Sequence, residues 1–214
     1  MRIPLAKRLR KRLHLEVAML QDEAVDILYS MASSGKLVFH GGTAIWRCYG
    51  GSRFSEDLDF YASPGPGFEG DLRAALQARG LQLLKFKAAP SVFFSKISNG
   101  QVEVKLELTP RSPAGKRILA KYEKTDGSYS DIYSLSPEGL IVEKMDAYRS
   151  RRYIRDIYDI FHLSSLVERP PQGIGQFLTS LQPPVDEKNL RAIVYSGLAP
   201  SFAEMVDALK RRFL

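Results

Sequence analysis

The chain has 214 residues, 44% of them hydrophobic and 26% charged, which suits a soluble globular protein of one large domain or two small ones. No apolar run approaches the roughly 18 residues that cross a bilayer, and no apolar segment with a small-residue cleavage site follows the basic stretch Lys7-Arg8-Leu9-Arg10-Lys11-Arg12, so neither a membrane span nor a secretory leader is expected. Cys48 is the one cysteine, which rules out an internal disulfide and fits a cytoplasmic setting; a net charge of +7 and a pI of about 9.5 favour polyanionic partners such as nucleic acid, nucleotides or an acidic protein.

Leu13, Val17, Leu20, Ala24, Ile27 and Met31 step by three and four and predict an amphipathic helix, with Gly35 placed to stop it. Leu37–His40 reads as a short apolar strand. Gly41-Gly42-Thr43 then turns the chain into a second helix from Ala44 to about Cys48, ended by Gly50-Gly51. A strand around Asp57–Tyr61, a loop at Ser63–Gly67 and a helix from Phe68 to Arg79, closed by Gly80, follow. Three strands are predicted at Leu81–Phe86, Val92–Ile97 and Val102–Leu108, the last two joined through Asn99-Gly100, a strong hairpin signal. After Thr109-Pro110-Arg111-Ser112-Pro113 the periodicity is weak until about Tyr133. Ser136-Pro137-Glu138 announces a helix, with Ser136 as N-cap and Pro137 in the first position. The remainder is largely helical, broken at Arg169-Pro170-Pro171 and Gln182-Pro183-Pro184. This order predicts an α+β fold with a mixed sheet flanked by helices in residues 1–112 and a mainly helical domain in 113–214, not a doubly wound parallel sheet.

The chemistry concentrates in a few acidic and glycine positions. Side chains alternate along a strand, so Asp57 and Asp59 share a face while Leu58 and Phe60 point to a core. Two carboxylates on one face repel unless a cation sits between them, and Mg²⁺ favours carboxylate oxygens together with substrate phosphates. Taken alone, the pair also describes an ordinary solvated strand face. Glycines at a strand-to-helix turn, as at Gly41-Gly42, let phosphates approach oriented N–H groups, and the Thr43 hydroxyl is placed to add a hydrogen bond; an ordinary tight turn capped by Thr43 is the plainer reading. Glu103 and Glu107 lie on one face of the Val102–Leu108 strand, and Glu107 is the favoured third carboxylate. On an unbroken helix from Pro137, Lys144, Tyr148, Arg151 and Arg155 would form one stripe able to clamp triphosphate charge, with Asp156 or Asp159 orienting the cations. A break near Ser150-Arg151-Arg152 would instead make Asp156 the cap of a second helix, and Asp159 is in reach of Arg155 across one turn.

Other residues have blander readings. His40 is expected to be a structural histidine, Trp46 a core residue, and Cys48 lacks a histidine partner for a nucleophilic role. No His or Cys pair has zinc-ligand spacing. Tyr122, Tyr129 and Tyr133, near Lys121 and Lys124, suit either base stacking or a linker.

Two segments resemble one known family. The run His40-Gly41-Gly42-Thr43-Ala44-Ile45, followed by Arg53-Phe54-Ser55-Glu56-Asp57-Leu58-Asp59-Phe60, is similar to the Gly-Gly-Thr-Ala and Arg-x-Ser-x-Asp-[Leu/Ile]-Asp motifs of the AbiEii/AbiGii (MenT-like) nucleotidyltransferases. These are toxin halves of type IV-like toxin–antitoxin and phage-defence systems within the polymerase-β nucleotidyltransferase superfamily. Val142–Ala147 and Arg151–Ile160 resemble the family's Glu-Lys … Arg-Asp-[Leu/Ile]-Tyr-Asp segment. The resemblance implies a bilobed nucleotidyltransferase fold, Mg²⁺ or Mn²⁺, an NTP substrate, a tRNA acceptor and a cognate antitoxin. By position it makes Asp57, Asp59, Lys144 and Asp156 catalytic, and Asp57, Asp59 and Glu107 metal ligands. Gly41, Gly42, Thr43, Arg53, Ser55, Arg151 and Arg155 would bind the nucleotide. A protein acceptor or self-modification stays open. So do a degenerate member that binds nucleotide or RNA without chemistry, and a small basic DNA-binding protein.

Overall fold

The computed structural model describes residues 3–31 and 36–214; Gly35, the expected helix stop, lies outside them. A short helix α1 (Leu5–Arg8) precedes α2 (Arg12–Met31), whose buried face carries Val17, Leu20, Ala24, Ile27 and Leu28. Strand β1 (Val38–His40) runs directly into α3 (Gly41–Tyr49), and β2 (Leu58–Tyr61) begins one residue after Asp57. After α4 (Phe68–Gln77) come β3 (Gln82–Ala89), β4 (Val92–Ser98) and β5 (Glu103–Thr109), close to their expected bounds.

The segment of weak periodicity holds two further strands, β6 (Arg117–Glu123) and β7 (Tyr129–Leu135). They complete a seven-stranded mixed sheet in the order β3-β4-β5-β2-β1-β7-β6. The β1–β7 and β2–β5 pairings are parallel and the rest antiparallel. The boundary expected at residue 112 therefore falls between β5 and β6, inside the sheet. Tyr122 is a fully buried strand residue whose hydroxyl donates to Asp22 at 2.9 Å, so it cannot serve as a stacking platform.

Ser136 caps α5 (Pro137–Arg151) by accepting from the Gly139 N–H. The helix stops where Arg152 takes a left-handed conformation, φ +50°, and α6 (Ile154–Ser164) follows. The unbroken stripe is thus not formed. Tyr148 turns into the helical core and donates its hydroxyl to the Gln182 carbonyl at 2.6 Å. Asp156 sits in the first turn of α6 and is not its N-cap, which is Tyr153. Three more helices, α7 (Ile174–Thr179), α8 (Leu190–Ile193) and α9 (Phe202–Phe213), finish the lobe. One hydrophobic cluster joins α1, α2 and the sheet; the other joins α5, α6, α7 and α9. No helix among the described residues is long and apolar enough to cross a membrane.

Candidate active site

The site lies between the two clusters. Strand β2 pairs with β5 so that Asp59 is directly beside Glu107, and with β1 so that Asp59 also faces His40. Asp57 stands just outside the strand with Lys105 Nζ 3.7 Å from its carboxylate. Glu103, the alternative third carboxylate, lies at the far end of β5 and is paired with Lys96 at 2.8 Å. Burial pushes the Asp59 carboxyl above its ordinary range; the neighbouring His40 opposes this, and the charges of Asp57 and Glu107 add to it.

The glycines make the close approach possible. Gly41 has φ +74°, and a Cβ there would come within 2.2 Å of Asp59 Oδ2. A Cβ on Gly42 would lie 2.5 Å from Arg53 Nη2 and 2.6 Å from Ser55 Oγ. The first turn of α3 is therefore a floor onto which a carboxylate, a guanidinium and a hydroxyl converge. Thr43 departs from expectation. It is fully buried and its hydroxyl donates to the Asp57 carbonyl at 2.5 Å, which ties the helix to the start of β2 and leaves that proton unavailable to a phosphate.

The opposite wall comes from α5 and α6 and is built on buried carboxylates. Asp159 accepts two bonds from Arg53, both 2.6 Å, and has Lys144 Nζ at 2.9 Å. Asp156 accepts from Arg151 Nε and Nη2, both at 2.8 Å, and has Lys144 Nζ at 3.5 Å. Burial alone would raise the Asp159 carboxyl, but Arg53 and Lys144 outweigh it and hold the group below the usual range. For Arg53 burial opposes the charge, and Asp159 more than restores it. Arg53 is a buried strut between lobes, its third donor on the Phe54 carbonyl at 3.2 Å, and its guanidinium also lines the cleft beside Gly42. One sequence expectation changes. Asp156 is fully buried beneath Arg151 and Lys144 and positions them without lining the cleft. Asp159 pairs across the lobes rather than with Arg155, whose guanidinium lies 5.5 Å from the Tyr153 ring centre.

The resulting cleft, of roughly 420 Å³, is lined by Asp57, Asp59 and Glu107 on one side and Lys144, Arg151 and Arg155 on the other. Gly41, Gly42 and Ser55 also reach it. Among the described residues no three carboxylate, His or Cys side chains already close on a point as a metal-ligand group; the acidic three are neighbours in register, with Asp57 turned toward Lys105. Among the described residues two buried nitrogens at the cleft, His40 Nε2 and Arg155 Nε, have no hydrogen-bond partner.

A family model for the nucleotidyl transferase AbiEii toxin of type IV toxin–antitoxin systems matches residues 26–179. The chain belongs to this AbiEii family. It is a nucleotidyltransferase. The AbiEii chain shares its fold with JHP933 from Helicobacter pylori, at a TM-score of 0.59 and 19% identity over 94% of this chain and 90% of that one. It is equally similar to a putative nucleotidyltransferase from H. pylori, with a TM-score of 0.59 and 20% identity, covering 94% of this chain and 93% of that one. Among curated proteins compared by sequence, none matches.

Several members of the AbiEii site carry no obvious sequence signal. His40 Nδ1 donates to the Glu143 carboxylate at 3.2 Å, stacks on Tyr61 at 4.0 Å between ring centres, and shares Glu143 with the Tyr61 hydroxyl. Arg111, in the proline-rich segment, reaches the cleft beside Tyr61. Gln21 of α2 donates to the Ser55 and Glu56 carbonyls, each at 2.9 Å, and so fixes the approach to Asp57. The visible signals were faint: a histidine immediately before Gly-Gly, and Glu143 next to Lys144.

Proposed function

We propose that this nucleotidyltransferase moves a nucleotidyl group from an NTP to tRNA in a Mg²⁺-dependent reaction, as the toxin of a pair with a cognate antitoxin. The observation that carries the reading is the opposition of an acidic face to a basic wall. Asp57, Asp59 and Glu107 lie across one cleft from Lys144, Arg151 and Arg155, and Arg155 Nε has no hydrogen-bond partner among the described residues.

The donor set suits a hard divalent cation. All three carboxylates offer oxygen, the Asp59 carboxyl is disfavoured as a bare anion where it sits, and the glycine floor leaves room beside it. Asp57, Asp59 and Glu107 would hold Mg²⁺ or Mn²⁺, which when bound supplies charge neutralisation at the phosphates. The chain's own groups account for the rest. Gly41 and Gly42 allow close approach of the triphosphate to the α3 backbone, and Ser55 offers a hydroxyl at that floor. Lys144 and Arg151 are held in place by Asp156 and Asp159, so their positive ends meet the charge that grows on the departing pyrophosphate without reorganising. Arg155 contributes a donor that none of the described residues satisfies. The basic surface favours RNA as acceptor.

The test is incubation of the protein with labelled NTPs, Mg²⁺ and total tRNA, beside an Asp57→Ala/Asp59→Ala variant. Label on RNA in the wild type alone is the expected result. Label that persists in the variant overturns the site. Label on the protein itself overturns the RNA acceptor, and nucleotide binding with no transfer overturns catalysis in favour of a binding module.

A further inference from the structure

The sheet carries its acidic residues into an open basic surface. Opposite residues in antiparallel strands share a face, and register across β2, β5, β4 and β3 defines two rows. The first runs Asp59, Glu107, Phe94, Lys87; the second runs from Asp57 through Lys105, Lys96 and Lys85. Helices α2 and α4 cover only the other face here, where Leu83, Ile97, Val104, Leu106 and Leu108 are buried. Lys85, Lys87 and Lys105 are exposed, and Phe94 and Lys96 half-exposed. Lys85 Nζ stands 5.6 Å from the centre of the Phe94 ring.

Charge is not uniform along the rows. Lys96 is paired with Glu103 and Lys105 with Asp57, so the surplus positive charge lies at the outer end, on Lys85 and Lys87. An aromatic ring flanked by cations on an open sheet is the arrangement that binds single-stranded nucleic acid, by base stacking on the ring and phosphate contact with the lysines. Strands lie about 4.8 Å apart, so Lys87 is about 10 Å from Glu107. A strand crossing that distance delivers its end to the acidic pair.

We propose that the open face of β3–β4–β5 is the acceptor platform: single-stranded RNA lies across it, a base on Phe94, phosphates on Lys85 and Lys87, its terminal hydroxyl directed to Asp59 and Glu107. This rests on the RNA-acceptor reading above but adds a surface outside the cleft. The occupant is RNA because the platform pairs cations with one stackable ring and continues into the reacting carboxylates; the triphosphate has its own cations across the cleft.

The experiment measures binding apart from catalysis. Full-length protein is titrated into a fluorescein-labelled single-stranded RNA of about 12 nucleotides, within the usual site size, across a salt series and without NTP. Lys85→Glu/Lys87→Glu and Phe94→Ala are compared with Arg10→Glu/Lys11→Glu, which makes the same charge change as the first variant elsewhere on the surface. The platform variants are expected to weaken binding about tenfold or more, and the control less than about threefold. Lys85→Gln/Lys87→Gln, which keeps the polar surface, is expected to flatten the log–log salt slope by about 0.7 per lysine. Far-ultraviolet circular dichroism and melting confirm that each variant folds.

Equal losses in the platform and control variants overturn the proposal, as does a wild type that fails to bind RNA but binds poly-glutamate through the same lysines. The two levels separate cleanly. If RNA is labelled and Lys85→Glu/Lys87→Glu keeps the wild-type KM for RNA, the platform fails and the catalytic reading stands. If no transfer occurs yet the variants still lose RNA, the platform stands and the catalytic reading fails.

Discussion

Two aspartates, Asp159 buried and Asp59 half-buried at the cleft, show how position sets the sign of a charge. Asp159 is stabilised in its ionised form by Arg53 and Lys144. Its folded carboxyl lies below the unfolded value of about 4, so its contribution to stability is present above that value and is lost as pH falls through the lower folded one. Asp159→Asn leaves two buried cations short of a counter-charge and is expected to cost about 3–5 kcal/mol in urea unfolding, with a flatter loss of stability below about pH 4 than the wild type shows. Asp59 is the reverse case: burial and like charges penalise its ionised form. In metal-free buffer Asp59→Asn is expected to melt about 2–4 °C higher than the wild type while losing nucleotidyl transfer. A lower melting temperature would show that His40 compensates Asp59 fully. The sequence revealed both aspartates and the neighbour of Asp59, Glu107, but not the partner of Asp159. Helical spacing pointed Asp159 at Arg155, whereas the fold gives it Arg53, 106 positions away. Thr43 was legible as a hydroxyl beside the site, yet only tertiary structure shows that hydroxyl spent on Asp57.

At the scale of elements, α3 has the tightest requirement. Gly41→Ala would force an L side chain into φ +74° and against the Asp59 carboxylate. It is expected to cost about 1–3 kcal/mol and to cut turnover by about 100-fold through displacement of Asp59, read by melting and by label transfer. The helix and strands β2–β5 were legible because apolar and polar residues change places at the right period, and β1 as a short apolar run. Strands β6 and β7 were not. Leu119 is exposed where the pattern wants a polar residue, Glu123 is buried against Arg8, and Ser134 is buried with its hydroxyl on the Phe39 carbonyl at 3.0 Å. Burial alternates along the middle of these strands and covers both faces at their ends, and residue type does not follow it. The β3–β5 rows and their continuity with Asp59 depended on register.

Across the whole molecule, the two lobes meet at a charged seam beside an apolar contact of α3 with α5 and α6. The loop Ser52–Phe54 is gripped twice from the helical side. Asp159 holds Arg53, and the Phe54 and Tyr195 N–H groups bond to the Ile193 and Ser52 carbonyls at 2.8 and 3.0 Å. A ligand bridging the cleft should therefore stabilise both lobes together. NTP with Mg²⁺ at about 100 times its Kd is expected to add about 2.7 kcal/mol, a rise of roughly 5–10 °C in a single melting transition. A chelator, or Asp57→Ala/Asp59→Ala, is expected to remove most of the rise. Two separate transitions would mean that the lobes unfold independently.

The span between Arg53 and Asp159 also has a meaning in time. A ribosome releases Asp57, Asp59 and the glycine turn long before it releases α6. Until then Arg53 has no counter-ion, Lys144 has no anchor, and the opposite wall of the cleft does not exist. An active site with this design stays incomplete through most of its own synthesis, and is whole only when the second lobe docks.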